Sequence, residues 1–363
     1  MKICFVGPAN SSHIVKWCNW FLKKGHKVSV ISFTPGEIDG VDMHLIDLKV
    51  DAGGSDFGKI KYMFTGKQIK KIIDEIKPDI INAHYATSYG VALALSGVKD
   101  YVLSVWGADI YDFPKKSPLH KFLLKLSLRK ASHLFSTSRA MADEASKYTD
   151  KRFEITPFGV DMNLFNPDKR TRGRDEDFII GTVKALSDKY GIADILKAVS
   201  IIKKEGNVPV KVRIAGKGPQ EDEYRKMAQD LGISDIVTWL GFISQEEAAA
   251  EWANMDVAII PSTLESESFG VSAVEAEACG TAVVISDIPG LMEATKPGKS
   301  SVVVKRNNYE EIARAVEKLY FDEDLRNSLA SEGLKYAGEK YELNYCFSNI
   351  EKIFSNLLGR ESK

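Results

Sequence analysis

Short apolar runs alternate with amphipathic segments along almost the whole chain. The strand-like runs of the first half read KICFVG, KVSVISF, DIINAH, YVLSVW and HLFSTS. Between the first two, HIVKWCNWFLKKG places Ile14, Trp17 and Phe21 on one helical face, and Gly25 is expected to end the helix. The second half repeats the plan with DFIIGTV, VKVRIAG, IVTWLG, DVAIIPS, TAVVISD and SVVVK. This alternation predicts an α/β fold with doubly wound parallel sheets.

The length of the chain indicates two domains of this kind. At 363 residues it is too long for one ordinary domain. The segment ITPFGVDMNLFNPDKRTRGRDED has turn residues, charges and little periodicity, so we place the boundary there. We predict an amino-terminal Rossmann-like domain over residues 1–160 and a carboxyl-terminal Rossmann-like domain over 161–345. A final helix over 346–363 is expected to pack back on the first domain.

Composition narrows the class of protein. The hydrophobic and charged fractions, 44% and 27%, are those of a globular protein. No apolar stretch approaches the ~18 residues that span a membrane, and MKICFVGPAN lacks the layout of a signal peptide. The four cysteines lack zinc or redox spacing, so free thiols are expected. These features predict a cytoplasmic protein, and no nucleic-acid partner is predicted.

The near-zero net charge conceals a basic first half. Residues 1–160 carry 23 Lys+Arg and 16 Asp+Glu, whereas residues 161–363 carry 26 and 34. Within the basic half, PLHKFLLKLSLRKASHLF interleaves leucines with lysines and arginine, and such helices bind anionic membrane surfaces. A helix with an apolar face toward the core and a solvated basic side is the commoner alternative. The helix over 117–131 is therefore a candidate contact with the inner face of the cytoplasmic membrane.

The segment SESFGVSAVEAEACG holds the densest candidate chemistry. Glu267 and Glu275 are separated by seven residues and lie between two strand-like runs. A helix is predicted to begin near Ser268 or Gly270, which leaves Glu267 in a loop and Glu275 about one and a half turns inside the helix. Amides of a first helical turn lack internal acceptors and suit anionic or hydroxyl oxygens. Those amides belong to Phe269, Gly270 and Val271. All of these groups are expected at the carboxyl end of a parallel strand, where open α/β sheets bind ligands.

This segment resembles the Glu-x7-Glu signature of retaining glycosyltransferases with the GT-B fold, family 4, also called glycosyl transferases group 1. The match includes Pro261 and Ser262 after the strand, the run from Glu267 to Gly270, the Glu-Ala pair at 275–276 and the turn at Gly280. A surface helix with two solvated acids is the alternative. The resemblance covers nearly the whole chain and is strongest from 180 to 293. It implies two Rossmann-like domains that face each other across a cleft, with the acceptor on the amino-terminal side and the nucleotide sugar on the carboxyl-terminal side.

The resemblance also implies roles in binding the sugar donor. Glu267 would hold hydroxyls of the donor sugar, Glu275 would hold the ribose, and Ser268 to Val271 would contact the donor. Lys184 and Lys189, in the loop GTVKALSDKYG, would hold the diphosphate and stabilise the charge left on departure.

The lysine loop departs from the family by one residue. The family has a Lys-Gly pair where this chain has Lys189, Tyr190 and Gly191, and two solvated loop lysines are the alternative reading. In IAGKGPQEDEYRKMA, Gly216 and Gly218 match a turn of the family, and the resemblance implies that they shape the wall of the nucleotide pocket.

The first domain departs further from the family. Its first turn, PANSSHIVKW, has Asn10, Ser11 and Ser12 where many relatives have a glycine pair. Either serine is a candidate helix cap. His13 is expected as the first helical residue, and it either contacts the acceptor or faces solvent.

A second departure concerns the histidine that the family usually places in a His-Gly-x-Asp turn. Here the turn reads SVWGADIYD, with Trp106 and Asp109, and an indole cannot accept a proton. His84, at the end of the preceding strand, is the candidate imidazole for the cleft. A structural histidine bonded to a carbonyl is the alternative.

We therefore predict a retaining hexosyl- or N-acetylhexosaminyltransferase that uses a UDP- or GDP-sugar. The acceptor would be a glycan or a lipid-linked molecule of bacterial surface polysaccharide or glycoconjugate synthesis. Neither a metal nor a cofactor is predicted, because the two lysines would replace the divalent cation. The alternatives are a GT-B epimerase or phosphorylase, or a catalytically idle protein that binds sugar nucleotides. A nicotinamide-dependent dehydrogenase is disfavoured, because FVGPANSSH lacks the glycine fingerprint.

Overall fold

The computed structural model describes residues 1–48, 60–173 and 177–359, and the chain divides into two compact units. The amino-terminal unit comprises Met1–Phe158 and Phe347–Lys363, and the carboxyl-terminal unit comprises Gly159–Cys346. The boundaries predicted from the sequence, 160/161 and 345/346, fall within two residues of these. Residues 174–176 of the predicted boundary segment and 360–363 of the predicted final helix lie outside the described residues.

The amino-terminal unit is built on a seven-stranded parallel sheet with the order β3-β2-β1-β4-β5-β6-β7. The strands are β1 Lys2–Val6, β2 Lys27–Ser32, β3 Asp42–Leu45, β4 Ile80–His84, β5 Val102–Val105, β6 His133–Ser136 and β7 Phe153–Ile155. The helices are Ser12–Lys23, Gly66–Ile76, Tyr89–Ser96, Ala108–Tyr111, Pro118–Lys130 and Arg139–Ser146, and the 3₁₀ turns are Ile60–Phe64 and Phe113–Lys115.

The carboxyl-terminal unit is built on a six-stranded parallel sheet with the order β10-β9-β8-β11-β12-β13. The strands are β8 Phe178–Val183, β9 Val210–Ala215, β10 Val237–Gly241, β11 Val257–Ile260, β12 Ala282–Ser286 and β13 Ser301–Val304. The helices are Ile192–Glu205, Glu221–Asp230, Gln245–Asn254, Val271–Ala278, Pro289–Ala294, Tyr309–Phe321 and Glu323–Tyr341, and the 3₁₀ turns are Pro167–Lys169 and Asp188–Tyr190.

The last helix, Leu343–Leu357, belongs to the amino-terminal unit from Phe347 onward. The ring of Phe347 lies 5.2 Å from that of Trp17, and Phe354 stacks on Phe21 at 5.7 Å. Phe347 and Phe354 are fully buried, so the carboxyl terminus supplies part of the core of the first unit. None of the described helices is both long and apolar enough to cross a membrane.

The order of strands reverses direction once in each sheet. Strands β2 and β3 extend to one side of β1 and β4 to β7 to the other, and β8 and β11 form the same kind of junction in the second sheet. Open α/β sheets bind ligands at this topological switch point, outside the carboxyl ends of the strands. The loops after β1, β4, β8 and β11 are therefore where function is expected.

The sequence pattern located eleven of the thirteen strands that the structure describes, including all six of the carboxyl-terminal sheet. Strands β3 and β7 were missed, and they are the two edges of the larger sheet. Strand β3 has exposed ends and half-buried central residues, and β7 has three residues without a fully buried one. Neither edge strand has the continuous apolar run by which buried parallel strands are recognised.

Candidate active site

The switch point of the carboxyl-terminal unit brings together a lysine and a glutamate that are 83 residues apart. Lys184 follows β8, and its Nζ lies 3.0 and 3.1 Å from the two carboxylate oxygens of Glu267, in the loop after β11. Both side chains are about one-tenth exposed. Both charges of this ion pair are therefore largely shielded from solvent.

The two loops of this site are also joined through their backbones. Lys189 Nζ donates to the carbonyl of Ser266 at 2.9 Å, and the Thr263 amide donates to the carbonyl of Lys189 at 2.8 Å. Gly191 has φ +68°, and a Cβ built there would lie 2.1 Å from the Pro261 carbonyl oxygen. Glycine is required at this contact, which holds the lysine loop against the glutamate loop.

The residue that interrupts the family's Lys-Gly pair contacts both lysines. The Tyr190 ring centre lies 4.7 Å from Lys184 Nζ and 5.4 Å from Lys189 Nζ. An aromatic face attracts cations at such distances. Burial raises the pKa of the Tyr190 hydroxyl, so the ring stays a neutral platform for the two ammonium groups.

The helix of the glutamate motif begins at Val271, one residue after the later of the two predicted starts. Gly270 precedes it with φ +80°, and Ser272 Oγ donates to the carbonyl of Val183 at 3.3 Å, which joins the helix to the end of β8. Within the described chain, the amides of Gly270 and Val271 have no hydrogen-bond acceptor. Glu275 lies half-buried on this helix, so a loop carboxylate and a helix carboxylate flank these amides as expected from the sequence.

Three glycines hold the loops of the site in place. A Cβ on Gly216, whose φ is +136°, would lie 1.9 Å from the carbonyl oxygen of Lys184, and one on Gly218 would lie 2.1 Å from that of Leu186. A Cβ on Gly290 would lie 2.5 Å from the carbonyl oxygen of Glu267. Gly216 and Gly218 thus position the lysine loop, and their contact with a nucleotide stays a prediction.

Several polar groups near the site were not identified from the sequence. The hydroxyls of Ser262 and Ser266 are buried, and neither has a partner in the parts of the chain that the structure describes. Arg306 lies on the same side, 3.4 Å from both Glu265 and Asp287. The Pro-Ser pair of the motif was the available signal for Ser262. Arg306 lies 26 residues beyond Gly280, the last residue of the motif, and carried no signal.

Glu277 lies two residues beyond Glu275 but faces the interior. It is fully buried, its Oε1 accepts a 2.6 Å hydrogen bond from Ser300 Oγ, and a Cβ on Gly333 would lie 2.9 Å from its Cγ. Burial raises the pKa of this carboxyl well above its usual value. Glu277 therefore anchors the helix to the unit, while Glu275 is half-buried and its contact with a donor stays a prediction.

The switch point of the amino-terminal unit contains the predicted helix cap. Ser11 Oγ accepts a hydrogen bond from the His13 amide at 3.3 Å, and the helix begins at Ser12. Ser12 and Asn10 are exposed, and the Asn10 side-chain oxygen accepts from Thr34 Oγ1 at 3.2 Å. The cap role of Ser11 is structural, and contact of these three residues with an acceptor stays a prediction.

His13 and Trp106 are half-exposed members of one aromatic group. The His13 ring stacks on Phe158 at 3.8 Å and meets Trp106 edge-on at 5.5 Å. Burial, and then the charge of Lys16, lower the pKa of His13 to about 3, so it is neutral near pH 7. Phe158 and Trp106 each cover part of the His13 ring, and its contact with an acceptor stays a prediction.

Two predicted cleft residues lie in the interior, which corrects the assignment of both. His84 is fully buried among Phe5, Trp17 and Trp106, with ring centres 4.8 to 5.5 Å away, and burial lowers its pKa to about 3. Neither of its ring nitrogens has a partner among the described residues, so the carbonyl-bonded alternative is also wrong.

Asp109 is equally buried, and its carboxylate is used by the turn itself. It accepts from the amides of Ala86 at 2.8 Å, Gly107 at 2.7 Å and Trp106 at 3.1 Å. Burial raises the pKa of this carboxyl, although the three amides favour the charged form. Asp109 therefore organises the loops after β4 and β5 rather than contacting a ligand.

Over 1–48, 60–173 and 177–359, no group of three or more His, Cys, Asp or Glu side chains is placed to hold a metal ion. The carboxyl-terminal site instead combines two lysines, two carboxylates and two unpaired amides at a switch point. Such a site suits a phosphorylated ligand that carries hydroxyl groups.

Comparison with known proteins assigns the class. Residues 166–336 match the family model described as "Glycosyl transferases group 1", and residues 2–138 match "Glycosyl transferase 4-like". The two matches cover most of both units, so the chain belongs to the group 1 glycosyltransferases, as the Glu-x7-Glu segment indicated.

Among its relatives is an uncharacterized glycosyltransferase of Methanocaldococcus jannaschii, 27% identical over 325 residues that cover 82% of each chain. A D-inositol 3-phosphate glycosyltransferase of Paenarthrobacter aurescens is 29% identical over 211 residues, 55% of this chain and 51% of that one. The fold is similar to that of Anabaena HepE in complex with UDP, with a TM-score of 0.80, 18% identity and coverage of 98% and 100%. The predicted fold class, with two parallel-sheet domains of the GT-B type, is confirmed.

Proposed function

We propose that this glycosyltransferase moves a hexosyl or N-acetylhexosaminyl group from a UDP-sugar with retention of the anomeric configuration. The observation that carries the proposal is the contact of Lys184 with Glu267 at the β8/β11 switch point, beside Lys189 and the start of the helix Val271–Ala278. HepE, which has a similar fold, has been solved with UDP and with UDP-glucose, which favours UDP over GDP.

Each charged group has a distinct part in binding the donor. The diphosphate forms ion pairs with Lys184 and Lys189. It also accepts hydrogen bonds from the amides of Gly270 and Val271. Release of Lys184 leaves the Glu267 carboxylate to accept hydrogen bonds from hydroxyls of the sugar. Glu275 accepts from the ribose hydroxyls. Donor binding thus exchanges an internal ion pair for two ligand contacts, which limits the loss from desolvating either charge.

The transfer step needs no protein base in this arrangement. The bond between the anomeric carbon and the diphosphate oxygen breaks while the acceptor oxygen bonds to the same face of that carbon. The acceptor proton passes to the departing diphosphate. The lysines stabilise the negative charge that develops there, a contribution of about 10²-fold or more in rate for a single group.

We propose that the lysines perform the charge stabilisation for which other transferases use a divalent cation. Donor binding and turnover in the presence of EDTA test this point. Equal activity before and after chelation is the expected result. Activity that is lost with EDTA and restored by Mg²⁺ or Mn²⁺ would show that a metal takes part.

The acceptor side is proposed to work at an anionic membrane in surface polysaccharide or glycoconjugate synthesis. On the helix Pro118–Lys130, Leu119 and Phe122 are 54% and 59% exposed, next to the exposed Lys121, Lys125 and Arg129. Each cation near an anionic surface contributes about 1 kcal/mol at most. Flotation with anionic liposomes should therefore occur at low salt and decline as salt rises.

Flotation of a charge-reversed variant shows which surface of the protein binds the membrane. Reversal of Lys121, Lys125 and Arg129 to glutamate should abolish flotation. Reversal of Lys203, Lys204 and Lys226, which lie on helices of the other unit, should have little effect. Equal loss in both variants would show that overall charge, rather than this helix, binds the membrane.

The primary test measures donor binding and then stereochemistry. A ligand that binds only the folded state raises the unfolding temperature, so a panel of UDP-, GDP- and ADP-sugars identifies the base. Slow transfer of the preferred sugar to water, followed by proton NMR, then shows the first-formed anomer. An α-linked donor should release the α-anomer. Release of the β-anomer would exclude retention. If the protein binds the donor but transfers its sugar neither to water nor to any acceptor in a cell extract, it is an idle binding protein.

A further inference from the structure

The amino-terminal unit contains a cavity of ≈580 Å³ at the carboxyl ends of β1, β2, β4 and β5. Six of the fourteen described lining residues are aromatic and come from separate segments of the unit. They are Phe33, Tyr62, Tyr85, Tyr89, Trp106 and Phe113. Of the residues assigned to the acceptor side from sequence, only Ser11 and Trp106 line it.

The aromatic walls are held in place and electrically neutral. Phe33 and Tyr89 stack at 4.5 Å with an angle of 8° between their planes, and the Tyr89 hydroxyl accepts a hydrogen bond from the Phe33 amide at 3.3 Å. Burial raises the pKa values of Tyr62 and Tyr85, so both remain neutral phenols near pH 7. These walls suit an apolar ligand group of considerable length or width.

Among the described lining residues, Lys116 carries the formal charge, and Asp109 and Asp112 lie near enough to help burial raise the pKa of the Tyr85 hydroxyl. Lys116 and His120 line one side, and no Asp or Glu is among the described lining residues. His120 lies edge-on to Phe113 at 4.6 Å, and its Nδ1 is 2.7 Å from Ser117 Oγ. A cavity with aromatic walls and a cationic side fits a molecule with an apolar body and one anionic group.

The surface beside the cavity has the same combination of properties. Phe64, two residues beyond the lining residue Tyr62, is 84% exposed. Phe122, two residues beyond the lining residue His120, is 59% exposed. The helix Tyr89–Ser96 packs against both of these elements, so the exposed rings and the cations of Pro118–Lys130 flank one region. Large exposed apolar side chains beside cations are typical of surfaces that contact lipid.

We propose that this cavity binds the acceptor, and that the acceptor is an anionic amphiphile: a lipid phosphate or diphosphate, bare or already carrying sugar. Its chain lies along the aromatic walls, and its phosphate contacts Lys116 and His120. The identification of the ligand as an acceptor rests on the proposed transferase function, whereas the binding chemistry does not. A free glycan lacks the apolar body that these walls accommodate.

Farnesyl phosphate, used below its critical micelle concentration, is a suitable probe for calorimetric titration of the whole protein. It should bind at least tenfold more tightly than farnesol, which lacks the anion, and than glucose 1-phosphate, which lacks the chain. Equal binding of farnesol would exclude the role of the cations. Stronger binding of glucose 1-phosphate would indicate a soluble, polar acceptor and overturn the proposal.

Two pairs of variants locate the binding. Lys116→Glu should weaken the binding of farnesyl phosphate about tenfold or more. Lys99→Glu makes the same charge change before the amino end of β5 and should leave the affinity within twofold of the wild type. Phe33→Ala should weaken it severalfold, while removal of the exposed ring in Phe321→Ala should not. Equal effects within either pair would show that the lipid binds elsewhere.

Titration of UDP in the same samples separates this proposal from the donor proposal. UDP affinity should be unchanged in Lys116→Glu and Phe33→Ala. A wild-type protein that binds farnesyl phosphate but no nucleotide would keep the cavity assignment and refute the donor site. A wild-type protein that binds nucleotide but not farnesyl phosphate would keep the donor site and refute the cavity assignment.

Discussion

The two units share a parallel topology with one reversal of strand order, yet they place opposite chemistry at that point. In the carboxyl-terminal unit, the ion pair of Lys184 with Glu267 and the cation Lys189 meet there. In the amino-terminal unit, aromatic rings surround a cavity that no described carboxylate lines. The ligands that we propose differ accordingly, with phosphates and hydroxyls at the carboxyl-terminal site and an apolar body at the amino-terminal cavity, because the loops rather than the strands carry the specificity.

The largest effect is expected from the ion pair, which has no counterpart among the described residues that line the amino-terminal cavity. Lys184→Ala should lower turnover about 10²-fold or more, on the scale of losing a group that stabilises transition-state charge. It should also lower the free energy of unfolding by roughly 1–3 kcal/mol, because Glu267 keeps a shielded charge without a partner. Steady-state kinetics and urea denaturation measure the two losses.

A double variant separates the structural loss from the catalytic one. Lys184→Ala combined with Glu267→Gln should regain most of the stability, since no lone charge remains, but none of the turnover. Lys226→Ala, an exposed lysine of the same unit, is the control and should change neither quantity. Recovery of turnover in the double variant would contradict a role for Lys184 in the reaction.

Acid should affect the two units in opposite directions. All six histidines lie in residues 1–160. Because the pKa of His84 is about 3 in the folded protein and near 6.5 unfolded, the unfolded chain binds the proton first as pH falls. Between pH 7 and pH 5 this should remove about 2 kcal/mol of stability from the amino-terminal unit, and the loss should continue toward pH 3.

Protonation of Glu277 changes the stability of the protein in the opposite direction. Its folded pKa is raised, so the folded carboxyl takes up a proton before the unfolded one as pH falls toward 4.5, which stabilises the carboxyl-terminal unit. Hydrogen exchange resolved by peptide should show protection falling in the first unit at pH 5 while the second is maintained. His84→Leu should remove about half of the fall, because His13, whose pKa is also lowered to about 3, contributes in the same direction. An equal loss of protection in both units would refute this difference in pH dependence.

The two glutamates of the motif should contribute to the binding of different ligands. Each substitution should weaken the affinity for its ligand about tenfold, the scale of one hydrogen bond to a charged group. Glu275→Gln should weaken binding of free UDP, because the ribose is present with or without the sugar. Glu267→Gln should leave UDP nearly unchanged and weaken the UDP-sugar. Calorimetry with both ligands measures the difference. Equal loss of UDP binding in the two variants would refute the separate roles.

The smallest effect is expected at Tyr190, whose ring contacts both cations of the charged site. Tyr190→Leu should weaken UDP binding about two- to fivefold, since a cation–π contact contributes about 0.5–1 kcal/mol. Tyr190→Phe should bind normally, because it keeps the ring. Tyr309→Leu removes the cation–π contact of Lys197 on another helix and should have no effect. A Phe variant as weak as the Leu variant would assign the role to the hydroxyl instead.

The carboxyl-terminal site was largely predictable because its parts are local in sequence. Glu267 and Glu275 are joined by one loop and one helix turn, and apolar runs mark the strands on either side. The ion pair of Lys184 with Glu267 was not predictable, because it joins loops far apart in the chain whose facing directions depend on the packed sheet. The sequence assigned both lysines to a diphosphate and did not predict their partners within the protein, Glu267 for Lys184 and the Ser266 carbonyl for Lys189.

The amino-terminal unit was harder to interpret for the same physical reason. His84 ends a strand, as a ligand-binding histidine would, but three rings from separate segments enclose it. Tyr62 and Phe113 gave no periodic signal, because they lie in short 3₁₀ turns. A cavity built from single residues of many loops has no motif, so the sequence predicted the fold around it but not its walls.

The glycines that touch carbonyl oxygens restrict how this enzyme can be redesigned. A methyl group at Gly191, Gly216 or Gly218 would lie about 2 Å from a backbone oxygen, closer than any packing allows. Random libraries that include these positions will consist mainly of misfolded members. Libraries aimed at a different donor sugar should instead vary exposed neighbours such as Ala185 and Leu264, where a new side chain extends into open space.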